Sequence, residues 1–270
     1  MPTPLYDPLT AQCAFQLRYS WTAWPSAGRF PKAPDSLLDE IAPRWEEDGL
    51  RVLESRWMPE FVQILFSTTP TVAPVRLATC AKGRLDHALR MARLTTQFSR
   101  KVSVRSVGDA TRQQIESYIA SQVAKKRFLD PQFEAELAQL AFADPKIDLS
   151  APTESARGRY WYNLHLVLVT DGRYQFNEVA LLRRMRDCCL QVAHTKGHLL
   201  ARLSVMPDHV HLAIRAKIDE SPVDLAFSYQ NNLAYMLQKG RIWRDSFYVG
   251  TFGDYGMGAV RSVVVGGDAR

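Results

Sequence analysis

The amino-acid sequence predicts an α+β protein made of two similar halves. The first observation is a repeat, in which residues 58–78 align without a gap onto residues 206–226. The second is that the matched segments follow the same order in both halves, which chance matching would rarely produce. The third is that strand-like segments alternate with segments of helical periodicity. We interpret the chain as a tandem duplication.

The first half is predicted to alternate strands and helices. Branched and aromatic residues in alternation favour strands, and apolar residues at helical spacing favour helices. The predicted order is a strand at 14–22, a helix at 34–49, extended chain at 50–66, a helix at 74–98, a short extended segment at 103–107 and a helix at 111–126.

The second half is predicted to repeat this order. Residues 160–170 alternate aromatic, polar and branched side chains, as a strand does. Residues 177–196 carry apolar side chains at helical spacing, starting at the cap residue Asn177. The remaining segments are a strand or hairpin at 198–205 and 210–214, a helix at 222–240 and a short extended piece at 246–251.

The segment between the halves has a different character. Residues 128–140 have an amphipathic helical pattern, whereas residues 143–158 contain Pro145 and Pro152 among small and polar residues. Such a composition is typical of a flexible linker. The predicted organisation is a first domain at 1–126, a linker at 127–158 and a second domain at 159–270.

Composition and charge indicate a globular protein with a polyanionic partner. Of the 270 residues, 46% are hydrophobic and 23% are charged, enough for two modest cores. No apolar run approaches the roughly 18 residues of a membrane span, and the N-terminus lacks a secretory pattern. The four cysteines show no CxxC spacing and fit reduced thiols in a cytoplasmic protein. The net charge of +6 favours a polyanionic partner, and the clusters of basic residues taken together are compatible with a nucleic-acid groove.

Two histidines follow a Met-Pro-Asp turn in the second half. Alternate residues of a strand point to the same face, about 6–7 Å apart. His209 and His211 could therefore offer imidazole nitrogens to one divalent cation. On the pair alone, ordinary strand histidines remain an alternative. The first half carries Phe61 and Gln63 at the matching positions, so it could not form the same metal site.

A tyrosine and a glutamine in the first half form a complementary pattern. Tyr118 and Gln122 are four residues apart and would share one face of a helix. A tyrosine can attack a phosphodiester when a cation polarises the phosphate, and an amide oxygen can complete the coordination of magnesium or manganese. Read alone, Tyr118 is better explained as a packing residue. The second half carries Val263 and Gly267 at the matching positions, so each half keeps what the other has lost.

These segments resemble a known family. The motif at 206–212, the strand that starts at His165, the segment 243–253 and the residues 118–122 are similar to HUH-type single-tyrosine transposases of bacterial insertion sequences, including REP-associated tyrosine transposases. The resemblance implies two tandem ferredoxin-like (RRM-like) domains with antiparallel sheets, packed as a pseudo-two-fold dimer. It also implies cutting of single-stranded, hairpin-containing DNA through a 5′-phosphotyrosine intermediate, with Mg²⁺ or Mn²⁺ as cofactor.

Carried over residue by residue, the resemblance makes Tyr118 the nucleophile and His209, His211 and Gln122 the metal ligands. Members of the family act as homodimers in which the histidine pair of one subunit works with the tyrosine of the other. This chain keeps the residues for one of the two sites. We therefore expect a monomer that acts as a pseudo-dimer and that nicks, and rejoins, DNA.

Further residues are expected to contact DNA. His165 could serve as a base near the tyrosine, but packing or DNA contact is the better interpretation, so it stays outside the catalytic set. The predicted DNA-binding residues are His165, Arg173, Arg183, Arg184, Lys125 and Lys126.

Two alternatives to a DNA-cutting enzyme remain open. One is a domesticated, catalytically inactive transposase-derived DNA-binding protein, and the other is a tandem structural protein.

Overall fold

The computed structural model describes residues 4–8, 11–34, 36–94, 96–126 and 128–254. No helix in this part of the chain is both long enough and apolar enough to cross a membrane. The helices are α1 (Leu37–Glu47), α2 (Pro74–Met91), α3 (Arg112–Ala120), α4 (Gln122–Lys125), α5 (Pro131–Gln139), α6 (Val179–Lys196) and α7 (Pro222–Leu237), with a 3₁₀ turn at Asp171–Arg173. The strands are β1 (Gln12–Gln16), β2 (Arg18–Pro25), β3 (Leu50–Trp57), β4 (Val62–Thr68), β5 (Phe98–Val107), β6 (Phe142–Ala143), β7 (Thr153–Ser155), β8 (Gly158–Trp161), β9 (Asn163–Thr170), β10 (Leu199–Met206), β11 (His209–Arg215) and β12 (Trp243–Thr251).

Within the described residues, the strands form two six-stranded sheets. The first sheet has the order β3-β4-β2-β5-β8-β7, and the second has the order β1-β12-β9-β11-β10-β6. Four antiparallel strands in each sheet come from one strand–helix–strand–strand–helix–strand segment. In the first half this segment is β2-α1-β3-β4-α2-β5, and in the second it is β9-α6-β10-β11-α7-β12. The predicted α+β class is confirmed.

The two halves exchange one strand each. β1 precedes the first segment along the chain but pairs in parallel with β12 of the second sheet. β8 precedes the second segment but pairs in parallel with β5 of the first sheet. The predicted single strands at 14–22 and 160–170 are therefore wrong, because the chain changes sheet at Leu17 and at Tyr162. Both of these side chains are buried, so each crossing point is anchored in the core.

Reciprocal hydrogen bonds join the starts of α2 and α7 to the opposite half. The backbone amide of Val75 donates to the carbonyl of Ile218 over 3.0 Å, and the amide of Val223 donates to the carbonyl of Pro70 over 3.0 Å. Val75 and Val223 occupy matching positions of the repeat, and so do Pro70 and Ile218. The two bonds are therefore equivalent under exchange of the halves.

A second reciprocal set lies where β5 and β12 end. The hydroxyl of Ser106 donates to the carbonyl of Phe252 over 2.7 Å. The hydroxyl of Thr251 donates to the carbonyl of Val107 over 2.7 Å. All four residues are buried. Because a buried hydroxyl without a partner would cost free energy, these bonds fix how the ends of the two strands lie against each other.

The second sheet is covered on both faces by different halves of the chain. Leu166 and Leu212 belong to the main core together with Leu182 of α6. Because side chains alternate along a strand, Ala213 points to the other face, where it packs in a separate cluster with Ile119 of α3. Helix α3 thus belongs to the first half in sequence but covers the sheet of the second half.

The predicted flexible linker at 143–158 is wrong. β6 pairs with β10 and so extends the second sheet, while β7 pairs with β8 at the edge of the first sheet. Between them, Leu149 is fully buried, and its carbonyl accepts hydrogen bonds from Asn163 and Arg215. Tertiary contacts therefore order a segment whose composition favours flexibility. Helix α5 lies within the predicted helix at 128–140.

The predicted helix at 111–126 is interrupted. Helix α3 begins at a capping box, in which the side chains of Thr111 and Gln114 each bond the backbone of the other. It ends at Ala120, and Ser121, with φ −89° and ψ 3°, separates it from α4. Lys126, at the end of the predicted helix, has extended backbone angles. The interruption lies between Tyr118 and Gln122.

Candidate active site

Three histidines lie on the face of the second sheet that α3 covers. His209 and His211 are on β11, and Val210 between them is buried on the opposite face. His165 is on β9, directly opposite Ala213 and diagonal to His211. Ring centroids are 4.8 Å apart for the pair on β11 and 5.2 Å apart for His165 and His211. Strand alternation therefore places three imidazoles in contact.

Each histidine of the β11 pair uses its Nδ1 atom in a hydrogen bond. Nδ1 of His209 donates to Oδ1 of Asp208 over 2.7 Å, because a carboxylate can only accept. Nδ1 of His211 lies 3.0 Å from Nε2 of His165. Among the described residues, neither His209 nor His211 makes a hydrogen bond through Nε2. Both Nε2 atoms are therefore without a hydrogen-bond partner in this part of the chain.

Burial keeps these imidazoles neutral at neutral pH. It lowers the pKa of His165 to about 4. Burial, with the neighbouring histidines, lowers the pKa of His211 to about 2. Burial also lowers the pKa of His209, although its bond with Asp208 acts in the opposite direction. The neutral imidazole is the form that coordinates metal ions.

Asp208 accepts a hydrogen bond from His209, the first histidine of the pair. Burial alone would raise the pKa of its carboxyl, but the hydrogen bond with His209 and nearby positive charges lower that pKa. Arg173 NH1 lies 3.2 Å from Oδ2, and Lys126 Nζ lies 3.7 Å from Oδ1. Sequence reasoning assigned Asp208 no role. Its place directly before a candidate ligand was the signal that could have found it, since ligand histidines commonly donate to a carboxylate.

An apolar cluster seats α3 on the histidine face. Ile119 is 1% exposed and packs with Ala201, Ala213 and Phe252, and Ile115 lies against the same cluster. The two alanines are small, so the helix can approach the sheet closely. Because Tyr118 directly precedes Ile119, this packing sets where its ring lies.

The ring of Tyr118 lies against the histidines. Its centroid is 5.5 Å from that of His211 and 6.0 Å from that of His165, with the rings edge-on. The residue is 42% exposed, so it stays accessible to a large substrate. Lys125 Nζ lies 4.5 Å from the centre of the tyrosine ring, within the range of a cation–π interaction. The structure thus brings a residue of the first half to the histidines of the second.

Gln122 lies beside Tyr118 but not on a continuous helix with it. The predicted continuous helix is wrong here, because Ser121 interrupts it. A hydrogen bond of 2.8 Å from Nε2 of Gln122 to the carbonyl of Tyr118 nevertheless keeps them adjacent. This bond uses the amide nitrogen and leaves Oε1 for a cation. Gln122 is 9% exposed.

The predicted DNA-binding residues divide into two groups. Lys125, Lys126 and Arg173 lie around Tyr118 and Asp208. The other three do not fit a surface at this site. His165 is only 8% exposed and faces His211, and α6, which carries Arg183 and Arg184, covers the opposite face of the sheet. Arg184 instead donates to the carbonyl of Met236 on α7.

The first sheet carries no imidazole at the matching positions. Nε2 of Gln63 donates to the hydroxyl of Ser20 over 2.9 Å. Gln63 matches His211 in the repeat, and Ser20 lies opposite Leu65 in the first sheet as His165 lies opposite Ala213 in the second. Arg56 lies over the ring of Phe61, 5.9 Å from its centre. Val263 and Gly267, which match Tyr118 and Gln122, lie outside the described residues.

The donor set of His209, His211 and Gln122 is chemically suited to a divalent cation. Imidazole nitrogen combined with amide oxygen suits first-row cations such as Mn²⁺, and the oxygen donor also suits Mg²⁺. The free Nε2 atoms and the spare Oε1 fit this assignment. Within the described ranges, no group of three or more His, Cys, Asp or Glu side chains could hold a metal ion. A site here would therefore need the amide.

Comparison with known proteins points to transposases. Residues 159–264 match the family model for IS200-like transposases; the match includes His209 and His211 and leaves out Tyr118 and Gln122. It supports a transposase-like function and, with it, DNA as a partner. No curated protein matches the chain.

Two solved structures have low similarity to the chain. One is a predicted transposase from Deinococcus radiodurans R1, with 22% identity and a TM-score of 0.32, covering 38% of this chain and 88% of that one. The other is a bacterial light-regulated adenylyl cyclase, with 11% identity and a TM-score of 0.21, covering 83% of this chain and 66% of that one. At these TM-scores neither similarity bears on function.

Proposed function

We propose that the protein is a transposase-like, single-stranded DNA endonuclease and strand transferase that uses Tyr118 as its nucleophile. The observation that carries this proposal is the 5.5 Å separation between the rings of Tyr118 and His211, which come from opposite halves of the chain. A tyrosine that serves only to pack would be expected to be buried. Tyr118 is instead 42% exposed, and its ring lies against a cluster of neutral histidines.

The proposal includes an architecture. The protein is a tandem pair of ferredoxin-like domains related by a pseudo-two-fold axis, and it acts as a monomer. The repeated strand–helix–strand–strand–helix–strand order supports this assignment. The reciprocal bonds of Val75 and Val223 support it as well, because a two-fold interface makes each contact twice.

The reaction consists of one displacement at phosphorus. The hydroxyl oxygen of Tyr118 attacks the scissile phosphate, and the bond between phosphorus and the 3′ oxygen breaks. The products are a 5′-phosphotyrosine and a free 3′-hydroxyl; the phenolic proton passes to solvent, and the leaving oxygen takes up a proton from solvent. The reverse reaction rejoins the strand. A divalent cation held by His209, His211 and Gln122 would polarise the phosphate when bound.

The cations near the site favour a polyanionic strand. Lys125 lies beside the tyrosine ring, where its positive charge would stabilise the negative charge that develops on the attacked phosphate. Lys126 and Arg173 flank Asp208 and extend the positive surface. We therefore expect binding that weakens with salt, with a slope of about −0.7 per phosphate contact on a single strand.

The test is covalent capture of DNA. The protein is incubated with hairpin-containing single-stranded oligonucleotides and Mn²⁺, and the adduct is measured on a denaturing gel. Tyr118→Phe should abolish the adduct, and His209→Ala or His211→Ala should reduce it severely without loss of binding. Tyr235→Phe is the matched control, since Tyr235 is 65% exposed on α7 at the other face of the sheet. An adduct that persists in Tyr118→Phe would refute the assignment.

A second candidate function is DNA binding without catalysis. This alternative is supported by the first sheet, which has lost the histidines of the candidate metal site and carries Gln63 and Ser20 in their place. Salt-sensitive binding with no adduct under any divalent metal would favour this alternative. The enzyme is preferred because the parts that survive in the two halves lie against each other, which random loss would rarely produce.

A further inference from the structure

His165 is a buried polar residue that the proposed reaction does not use. Its Nε2 atom lies 3.0 Å from Nδ1 of His211, and the two rings are nearly parallel, with 20° between their planes. In the strand ladder His165 is opposite Ala213, whose small side chain leaves room for the diagonal approach to His211. The contact is therefore built into the register of β9 and β11.

A hydrogen bond between two neutral imidazoles has a direction. If His165 donates, Nδ1 of His211 is the acceptor. The ring proton of His211 then sits on its own Nε2 atom, which cannot bind a metal. If His211 donates from Nδ1, its Nε2 carries a free lone pair. The direction of this one bond thus decides whether His211 can act as a ligand through Nε2.

The neighbouring histidine shows which direction fits the site. Asp208 is an acceptor, so Nδ1 of His209 donates and its Nε2 is free. His165 contacts Nδ1 of His211 in the same way that Asp208 contacts Nδ1 of His209. Ligand histidines typically donate their second ring N–H to such a partner, which fixes tautomer and orientation.

We propose that His165 is a positioning residue: its Nε2 accepts the Nδ1–H of His211 and so keeps Nε2 of His211 unprotonated and directed to the cation. This inference rests on the proposed role of His211 as a ligand. The matching pair in the first sheet, Gln63 and Ser20, is also hydrogen-bonded. The two strand positions therefore hold a polar pair in both sheets, and the imidazoles are what distinguish the second.

The first test is the tautomer of His211 in the metal-free full-length protein. Long-range ¹H–¹⁵N spectra distinguish a ring that carries its proton on Nδ1 from one that carries it on Nε2. We expect the Nδ1–H form in the wild type and a shift toward the Nε2–H form in His165→Leu. An Nε2–H tautomer of His211 in the wild type would overturn the proposal.

The second test is the affinity for Co²⁺, followed by its visible absorption. His165→Leu, which removes the acceptor, should weaken binding about 10- to 100-fold. His165→Gln offers an amide oxygen near the position of Nε2 and should retain most of the affinity. His87→Leu is the matched control, because His87 is an exposed histidine on α2. Equal losses in the Leu and Gln variants, or no loss in either, would overturn the assignment.

These readouts do not depend on DNA cleavage. A protein that binds Co²⁺ with the Nδ1–H tautomer but forms no adduct would refute the proposed function and leave the role of His165 intact. An active enzyme whose His211 carries its proton on Nε2 would refute the role of His165 alone. If His165→Leu does not fold, as shown by its melting curve, the wild-type tautomer and the His165→Gln variant decide the question.

Discussion

Gly108 lies so close to the carbonyl oxygen of Thr251 that a Cβ atom at residue 108 would overlap it. Gly253 meets the carbonyl of Ser106 in the same way, and the repeat relates the two contacts. In both cases the obstacle is backbone of the opposite strand rather than a flexible side chain. The two halves can approach this closely only because these positions lack a side chain.

Gly108→Ala should therefore destabilise the whole chain. We expect a loss of about 1–3 kcal/mol in the free energy of unfolding, the range for overpacked interiors, measured by urea denaturation. Gly83→Ala is the control: residue 83 lies within α2 and its Cβ would meet nothing within 4 Å, so helix propensity predicts a gain of up to about 1 kcal/mol. Equal stability of the two variants would contradict the close approach.

The packing of α3 on the second sheet can be tested separately from the interface between the two halves. Ile119→Ala removes most of a side chain that is 1% exposed and should cost about 2–4 kcal/mol in the free energy of unfolding. Because Ile119 anchors the turn that carries Tyr118, the yield of DNA adduct should fall as well. Leu129→Ala, at a fully exposed leucine, should change neither quantity. An adduct yield unaffected by Ile119→Ala would mean that the cluster does not position the tyrosine.

Much of the fold follows from local patterns, and the departures have long-range causes. Apolar periodicity predicted α6 and α7 because each buries one face against a sheet. The same patterns could not show that the chain changes sheet at Leu17 and Tyr162, since both sides of each crossing are extended. The composition of 143–158 likewise could not reveal that β6 pairs with β10, which lies far along the chain. Nor could it reveal that β7 is held at the edge of the first sheet through β8, which pairs with β5.

The candidate site shows a similar division. Strand spacing predicted that His209 and His211 would share a face, and the repeat predicted which half would lack them. The contact between His165 and His211 depends on the register between β9 and β11, which the sequence does not encode locally. The interruption at Ser121 was missed because nothing in residues 118–125 is a strong helix breaker.

The ion pair between Asp48 and Arg84 predicts a pH-dependent contribution to stability. Arg84 donates from Nε to Oδ2 over 2.9 Å and from NH2 to Oδ1 over 3.2 Å, and this hydrogen bonding lowers the pKa of Asp48. A carboxyl whose pKa is lower in the folded state stabilises that state above its unfolded pKa. The contribution is lost as the pH falls through the folded pKa.

Asp48→Asn should therefore be less stable than the wild type at neutral pH, and the difference should disappear in acid. Urea denaturation at several pH values from neutral to below the folded pKa of Asp48 measures this change. Asp219→Asn, at an exposed aspartate, is the control for a general change in charge. A stability difference that stays constant across the whole range would show that the pair does not act through ionisation of Asp48.

A mixture of two inactive variants tests whether one chain supplies the whole site. Helix α3 packs on the second sheet of its own chain through Ile119 and Ala213. An equimolar mixture of Tyr118→Phe and His211→Ala then contains no molecule with both groups, and we expect no adduct on the denaturing gel. A control mixture of each variant with the wild type should keep the wild-type yield. Recovery of the adduct in the variant mixture would instead require two copies that exchange α3, because only then would an intact tyrosine meet an intact histidine pair.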